Sequence, residues 1–263
     1  MQMLTALLAS ALSPFFVDTS AEVRSTYISL GKLLEDRPMQ VSSVRVGVDT
    51  GDFGRFGIRN WDVSSLTDRR SDVHRHALYH TEFGPTWQYT LDIADDWRLK
   101  SDITRSWTIY RGFKSGHNSS NRTYHWYQAE ESLENPYLVP FCRVRRTFRG
   151  NDYLYFRAGL RRRIPIWGDF SATPSVFTDG GSSRYQKRAF GRAIDGGDWP
   201  AGFSSVSFRL ELSWALGDGI SLFAYVEQYE VAGCDHRRTN SASASRCAHN
   251  DWTHGGIGIR AKF

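Results

Sequence analysis

Alternation of apolar and polar residues is the dominant pattern along the chain, and it recurs in segment after segment. In residues 205–216 every second side chain is a large apolar one, and the residues between them are serine, arginine, glutamate or alanine. Successive side chains of a β-strand point to opposite faces, so this pattern predicts a strand with one apolar and one polar face. Similar alternation runs through residues 82–93, 97–109, 153–163 and 256–263.

Turn-forming residues divide these segments into about twelve predicted strands, with ten or fourteen as the alternatives. The strands are expected near residues 23–34, 40–50, 54–62, 78–93, 97–112, 122–131, 138–149, 152–163, 184–193, 203–216, 219–231 and 251–263. Tight turns are expected at Asp52, Ala94–Asp96 and Gly217–Gly219. Longer polar loops are expected at residues 63–77, 113–121, 194–202 and 232–250.

The length of the predicted strands favours a barrel that crosses a membrane over a soluble sandwich of two sheets. Strands of soluble proteins usually run for about 5–6 residues, whereas a tilted transmembrane strand needs about 9–11. Aromatic residues mark the ends of the apolar faces, as interfacial girdles do; these are Phe83, Trp97, Trp107, Trp214 and Phe263. No apolar run approaches the roughly 18 residues of a transmembrane helix. The sequence therefore predicts an all-β fold, a closed antiparallel transmembrane β-barrel over residues 21–263.

Residues 1–20 are predicted to form a signal or N-terminal segment that precedes the barrel. They contain an apolar run and the small residues Ala9, Ser10 and Ala11, as secretory signals do. No basic residue precedes the apolar run, so an N-terminal helix is the alternative.

The three cysteines indicate a disulfide rather than a metal site. Cys234 and Cys247 bracket a polar, serine-rich stretch, and a disulfide between them suits an oxidising compartment. It would contribute about 3 kcal/mol through loop entropy. Cys142 is expected to pack as a small apolar residue. No zinc-site spacing, nucleotide-binding loop or hydrolase motif occurs, so we expect no metal, no cofactor and no nucleic-acid partner.

Charged and aromatic residues on the polar strand faces would line the lumen of such a barrel. The positions predicted to line it and to contact solutes are Arg98, Lys100, Arg143, Arg145, Tyr153, Tyr155, Arg157, Arg161, Arg163, Arg209 and Glu211. The acidic residues expected on the same faces are Glu82, Asp92, Asp102, Glu211 and Glu227. One interpretation is that these charges pair across strands and stiffen a filled barrel. The other is that the excess of basic side chains favours the passage of anions.

A few residues do not fit the pattern. Arg105, Arg146 and Arg162 fall on faces predicted to contact lipid, where a charge costs about 0–1 kcal/mol near an interface and about 2–4 at the midplane. Arg146 and Arg162 lie near strand ends, and a bulge is expected to redirect Arg105. Pro85 and Pro140 each remove a ladder hydrogen bond and are expected at local bulges.

The final residues, IGIRAKF, resemble the C-terminal strand signature of bacterial outer-membrane proteins. The residues that match are Ile257, Ile259, Ala261 and the terminal Phe263. The resemblance implies a Gram-negative outer-membrane location and contact with outer-membrane lipid, including lipopolysaccharide. It also implies recognition of this strand by the barrel-assembly machinery.

The strand number and the arginine-rich lumen also resemble the twelve-stranded porins for acidic oligosaccharides. This resemblance implies transport through a narrow porin-like channel with a mild preference for anions, whose partners would be small or acidic solutes. A structural or surface-interaction barrel with a plugged lumen is the alternative.

A second alternative is an outer-membrane lipid hydrolase, because some barrels of this size carry catalytic Ser and His residues. The candidates are His76, His80, His125 and His254, and His80 lies two residues from Glu82 on one predicted face. A nucleophile needs a base within hydrogen-bond reach. No serine stands out as such a nucleophile, so the sequence predicts that the protein is not an enzyme.

Overall fold

The computed structural model describes residues 14–29, 32–35, 38–66, 80–115, 118–148, 152–190, 200–231 and 251–263. In this part of the chain the strands are β1 (Phe15–Arg24), β2 (Tyr27–Ser29), β3 (Lys32–Glu35), β4 (Met39–Asp49), β5 (Arg55–Ser65), β6 (His80–Ala94), β7 (Trp97–Ser115), β8 (Asn118–Glu134), β9 (Val139–Phe148), β10 (Tyr153–Arg161), β11 (Ile164–Trp167), β12 (Phe170–Gly181), β13 (Gly202–Gly217), β14 (Ile220–Val231) and β15 (Asp251–Lys262). A 3₁₀ turn, Gly51–Phe53, and a helix α1, Ser183–Phe190, complete the elements.

Twelve of these strands close into an antiparallel barrel. β4 to β10 pair in chain order, β10 pairs with β12, and β12 to β15 continue the ring. The ring closes where β1 pairs with both β4 and β15. Closure lets each barrel strand bond to a neighbour on either side, which a structure in lipid requires. The predicted fold class and strand number are confirmed.

The three remaining strands are short. β2 and β3 form a separate hairpin between β1 and β4. β11 pairs with the first residues of β12, and β10 pairs with the rest of that strand. β11 therefore lies on the same side of β12 as β10 does, and the turn at Gly168 follows it.

The outer wall of the barrel is apolar and exposed. Large apolar side chains on this wall include Val44, Phe56, Ile103, Phe208 and Ile257. Soluble monomers rarely expose continuous apolar patches beyond a few hundred Å². The outer wall therefore faces lipid, and the polar faces point into the lumen. Of the helices described, none is long and apolar enough to cross a membrane.

The two ends of the barrel differ. At one, here called the turn end, tight connections join β4 to β5, β6 to β7, and β13 to β14. Asp218 supplies positive φ in the last of these, between two glycines that do the same. The backbone of Phe263 exchanges two hydrogen bonds with that of Val17, at 2.8 and 2.9 Å. Both ends of the barrel chain therefore lie at the turn end, and the opposite end is called the loop end.

Two predicted strands were misplaced. The first strand was expected at residues 23–34, but β1 is Phe15–Arg24, so its first six residues lie in the segment 1–20 that was predicted to precede the barrel. Residues 1–13 lie outside the described part, so a signal there stays a prediction. Residues 184–193 were expected to be a strand, but Ser183–Phe190 is helix α1, and the barrel strand is β12.

The connection predicted at 113–121 is also shorter than expected. β7 runs to Ser115 and β8 starts at Asn118, so both strands extend well beyond the thickness of a membrane. No long loop is needed there.

The predicted bulges at proline are absent from the strand pairs described. The register of β6 on β5 and β7 continues across Pro85, and that of β9 on β10 continues across Pro140. Arg105 therefore keeps its outward position, contrary to the expected redirection, and its side chain is exposed.

Inward-facing glycines make room for aromatic rings on neighbouring strands. A Cβ atom at Gly258 would lie 2.6 Å from the Phe223 ring, and one at Gly159 would lie 2.5 Å from Cβ of Phe177. Such glycines let rings lie against the barrel wall. The lumen is thereby lined by flat aromatic faces, on which arginine side chains stack.

Candidate functional site

The loop-end half of the lumen is filled by buried polar side chains centred on Asp179. Arg157 binds this carboxylate twice, with Nε 2.7 Å from Oδ1 and Nη2 3.1 Å from Oδ2. The Tyr155 hydroxyl also donates to Oδ1, and Ser205 Oγ donates to Oδ2 at 3.3 Å. The Arg157 guanidinium lies 4.0 Å from the centre of the Phe177 ring. We call this group, Tyr155, Arg157, Phe177, Asp179 and Ser205, the lumen belt.

A second group of charges lies beside the belt, on β13 to β15. Arg209 bonds to Glu211 at 2.9 Å and lies 3.7 Å from Glu227. Its guanidinium stacks on Tyr225 at 3.6 Å. Arg260 reaches the other oxygen of Glu211 at 2.8 Å. The charges here neutralise one another, so the arginines hold the wall together.

A third group lies on β7 to β9. The Arg145 guanidinium stacks on Trp126 at 3.7 Å, and its Nε donates to Gln128 Oε1 at 3.0 Å. Trp126 Nε1 donates to Thr108 Oγ1 at 3.3 Å. Nearer the turn end, Arg143 pairs with Glu130 at 2.6 Å.

Helix α1 contributes to the filling at the loop end. Tyr185 packs on Tyr153 and Tyr155, with ring centres 5.9 and 5.4 Å apart. Gln186 is buried and its Nε2 donates to the carbonyl of Gly202 at 2.7 Å. Burial raises the pKa of the Tyr185 hydroxyl well above its ordinary value, so this side chain is neutral at physiological pH.

The turn-end half of the lumen contains an open cavity of about 510 Å³. Here called the vestibule, it is lined by charged residues of both signs, namely Asp18, Arg45, Asp49, Arg55, Arg98, Lys100, Glu134 and Lys262. Arg45 pairs with Asp18 and donates to Gln88 Oε1 at 3.4 Å. Within the described residues, Lys100 and Lys262 have no carboxylate within ion-pairing distance. The vestibule therefore carries uncompensated positive charge.

The structure distributes the predicted lumen residues over these groups. Arg98 and Lys100 line the vestibule. Arg143, Arg145, Arg157, Arg209 and Glu211 pair with other wall residues, as does Arg161, which lies 3.7 Å from Glu134. Arg163 is exposed and donates to Ser171 Oγ at 3.2 Å. Contact of any of them with a solute stays a prediction.

The lumen contains more acidic residues than the alternation of the sequence predicted. Those missed are Asp18, Glu22, Glu130, Glu134 and Asp179, each of which lies within 3.7 Å of a basic side chain. Asp179 was not predicted to face the lumen because β12 was not predicted to be a strand. The excess of arginine over its partners is consequently smaller than the pattern indicated.

The two hydrolase candidates whose side chains the structure describes, His125 and His254, are not brought together. His254 is buried, with its Nε2 3.8 Å from Glu227, whereas His125 lies edge-on to the outward-facing Trp107. His76 and the side chain of His80 lie outside the described part. Within that part no cluster of three or more His, Cys, Asp or Glu residues is arranged to hold a metal ion.

The cysteines divide between described and undescribed regions. Cys142 is a free thiol, exposed on the outer wall. Cys234 and Cys247 lie outside the described residues, so their disulfide stays a prediction.

The closed ring and lipid-facing outer wall define a transmembrane β-barrel. No protein-family model matches the chain, and no curated protein matches it. Among solved structures, an outer-membrane channel from Pseudomonas putida F1 aligns with a TM-score of 0.55 at 11% identity, over 95% of this chain and 96% of the channel.

Two porins align less closely. The KdgM porin gives a TM-score of 0.47 at 9% identity, over 94% of this chain and 99% of the porin. The NanC porin gives a TM-score of 0.47 at 10% identity, over 94% of this chain and 100% of the porin. Of these three structures, the Pseudomonas channel aligns closely enough to support the fold, and at 11% identity the likeness concerns the fold and not the function.

Proposed function

We propose that this protein is a bacterial outer-membrane barrel that forms a narrow, porin-like channel with a mild preference for small or acidic anionic solutes. The observation that carries the proposal is the vestibule, in which Lys100 and Lys262 face an open cavity without carboxylate partners among the described residues. Charges in a confined aqueous space are poorly screened at low salt, so they attract counter-anions.

The source of the preference differs from the one expected from sequence. The sequence interpretation placed it in the excess of basic side chains on the polar strand faces, with Arg157 among them. Arg157 is bound at two points by Asp179, so it is a poor candidate for contact with a passing anion. The proposal therefore places selectivity at Lys100 and Lys262 of the vestibule; Arg98 also lines it, but its charge is paired with Asp92 at 2.5 Å.

The outer-membrane location and the assembly route belong to the same proposal. Phe263 is 73% exposed at the turn end, and Ile257 and Ile259 are exposed on the same outward face. An exposed terminal aromatic suits both recognition by the barrel-assembly machinery and an interfacial position. In this arrangement the turn end faces the periplasm, and the protein acts as a channel and not as an enzyme.

A plugged barrel is the second candidate, and the lumen belt favours it. Asp179 and Tyr155 are fully buried although both point into the lumen, so side chains fill the space there. A barrel closed in this way would serve as a structural or surface-interaction protein.

Single-channel recording in planar bilayers tests the two candidates. We expect ion conductance with an anion-to-cation permeability ratio above one, most visible at low ionic strength. The variant Lys100→Gln Lys262→Gln should lower this ratio. Arg162→Gln is the matched control, because it removes a positive charge near the same end of the barrel but from the exposed outer surface.

Each outcome decides between the candidates. Absence of conductance in the wild type would favour the plugged barrel. Conductance with unchanged selectivity in the double lysine variant would show that the vestibule does not set the preference. An equal fall of the permeability ratio in that variant and in Arg162→Gln would show that the overall charge of the barrel, and not the vestibule, sets the preference.

A further inference from the structure

Two arginines on the outer wall stand among aromatic rings. Arg105 of β7 is exposed, and its guanidinium lies 5.1 Å from the Trp107 ring centre and 5.7 Å from that of Tyr127. Arg146 of β9 lies 5.1 Å from the Phe148 ring centre. We call Arg105, Trp107, Tyr127, Arg146 and Phe148 the outer-wall basic cluster.

The strand register places the cluster in one row. Tyr127 of β8 lies directly opposite Arg105 on one side and Arg146 on the other. Adjacent strands are about 4.8 Å apart, so the two arginine backbones are about 10 Å apart. Both side chains are long enough to converge on one group above Tyr127.

The rings leave the hydrogen-bonding edges of the arginines available. A guanidinium that stacks on a ring uses its face, and its N–H groups stay free to bind an anion in the same plane. No carboxylate lies within ion-pairing distance of Arg105 in the described part of the chain. Arg146 has one contact, from Nε to Asp152 at 3.4 Å, and both side chains of that pair are about half exposed or more.

The depth of the cluster matches the headgroup layer. Trp97 and Trp107 both face outward on β7, ten residues apart. With a rise of about 3.3 Å per residue and a tilt of about 40°, they are separated by about 25 Å along the barrel axis, the height of the apolar band. Trp97 lies near the turn end, so Trp107 and the neighbouring Arg105 lie at the interface nearer the loop end.

This depth corrects the sequence interpretation of Arg105. It is central in β7, but β7 extends beyond the membrane, so Arg105 is close to the interface. A lipid-facing charge is tolerated best there. The phosphates of membrane lipids lie at the same depth.

We infer that the outer-wall basic cluster binds the phosphate group of an anionic lipid in the leaflet at the loop end. Guanidinium groups bind phosphate through paired, charge-assisted hydrogen bonds. Trp107, Tyr127 and Phe148 hold the two arginines in place and contact the upper part of the acyl chains. The site is independent of the lumen, so it does not depend on whether the barrel conducts ions.

Lipid titration of the purified full chain in detergent, followed by native mass spectrometry, tests the site. The probes are bisphosphorylated lipid A, the same lipid without its phosphates, and inorganic phosphate. We expect the phosphorylated lipid to bind at least about tenfold more tightly than the other two. Arg105→Gln Arg146→Gln should weaken its binding about 30-fold, given the contribution of each basic residue at an anionic surface.

The control is Arg162→Gln, which removes an exposed arginine at the turn end, far from the cluster. It should bind as the wild type does. Equal binding of the phosphate-free lipid would overturn the proposal, and so would retained affinity in the double variant. Inorganic phosphate binding as tightly as the lipid would show a free-anion site instead.

Folding is checked by heat-modifiable gel mobility. If the double variant does not fold, the single variants Arg105→Gln and Arg146→Gln replace it, each with an expected loss of about fivefold. Unchanged affinity in both single variants would equally overturn the proposal.

Discussion

Arg157 and Asp179 face each other from β10 and β12 and form a two-point ion pair inside the barrel, with bonds of 2.7 and 3.1 Å. The Asp179 side chain is fully buried and that of Arg157 is 15% exposed. A charge in such a place needs its partner, because water cannot replace it. The pair therefore adds a side-chain link to the backbone ladder between β10 and β12, where the ring of strands passes over the irregular segment around β11.

Removal of the buried carboxylate is expected to destabilise the barrel. Asp179→Asn leaves the Arg157 charge uncompensated, which typically costs about 3–5 kcal/mol. The matched control is Asp49→Asn, since the Asp49–Arg55 pair is exposed and such pairs contribute about 0–1 kcal/mol. The stability of both variants is measured by urea unfolding, with tryptophan fluorescence as the signal. Similar shifts of the two midpoints would contradict the structural role of Asp179.

Loss of the Tyr185 ring is expected to widen the lumen at the loop end. Tyr185→Ala removes the ring that packs on Tyr153 and Tyr155. If the barrel conducts, its single-channel conductance should rise. Arg184→Ala on the same helix is the control, because its side chain is exposed. Unchanged conductance in Tyr185→Ala would mean that the lumen belt alone limits the flow.

A larger residue in place of Gly159 is expected to destabilise the barrel. An added Cβ would meet the carbonyl oxygen of Val176 at 2.6 Å, and this backbone atom cannot move without shifting β12. Gly159→Ala should cost about 1–3 kcal/mol through overpacking. At Gly57 the nearest atom would be 3.3 Å away, so Gly57→Ala should cost much less. A comparison of the two unfolding midpoints decides the matter, and equal stabilities would show that the wall relaxes freely.

A disulfide is expected between Cys234 and Cys247. Peptide mapping of protein recovered from the cell envelope, without reduction, should show the linked peptides. Cys142 is the internal control, because it is a free thiol on the outer wall and should be alkylated after unfolding. Alkylation of all three cysteines without reduction would refute the pairing.

The barrel could be predicted from sequence because most strands carry large apolar residues on one face, as β13 does with Phe208, Leu210 and Trp214. β12 was missed because its outward face mixes Ala172, Pro174 and Thr178 with few large apolar residues. A residue pattern cannot indicate a strand whose lipid-facing side is this weakly apolar.

The lumen was less predictable, for a different reason. Which charges pair depends on the register between strands that are far apart in sequence. Arg45 of β4 pairs with Asp18 of β1, and Lys262 of the last strand lines the same vestibule. Alternation shows that these side chains point inward, but it does not show which of them meet.

The ladder between β1 and β15, which the hydrogen bonds between Val17 and Phe263 extend by one pair, makes the order of strands round the barrel a cycle. β1 and β15 are joined as any other neighbours are, so the wall has no structural first strand. A circularly permuted chain, with its ends linked and a new opening cut at the Gly217–Gly219 turn, would have the same ladder of pairs. The position of the termini thus sets the order in which strands are synthesised, while the finished barrel is indifferent to it.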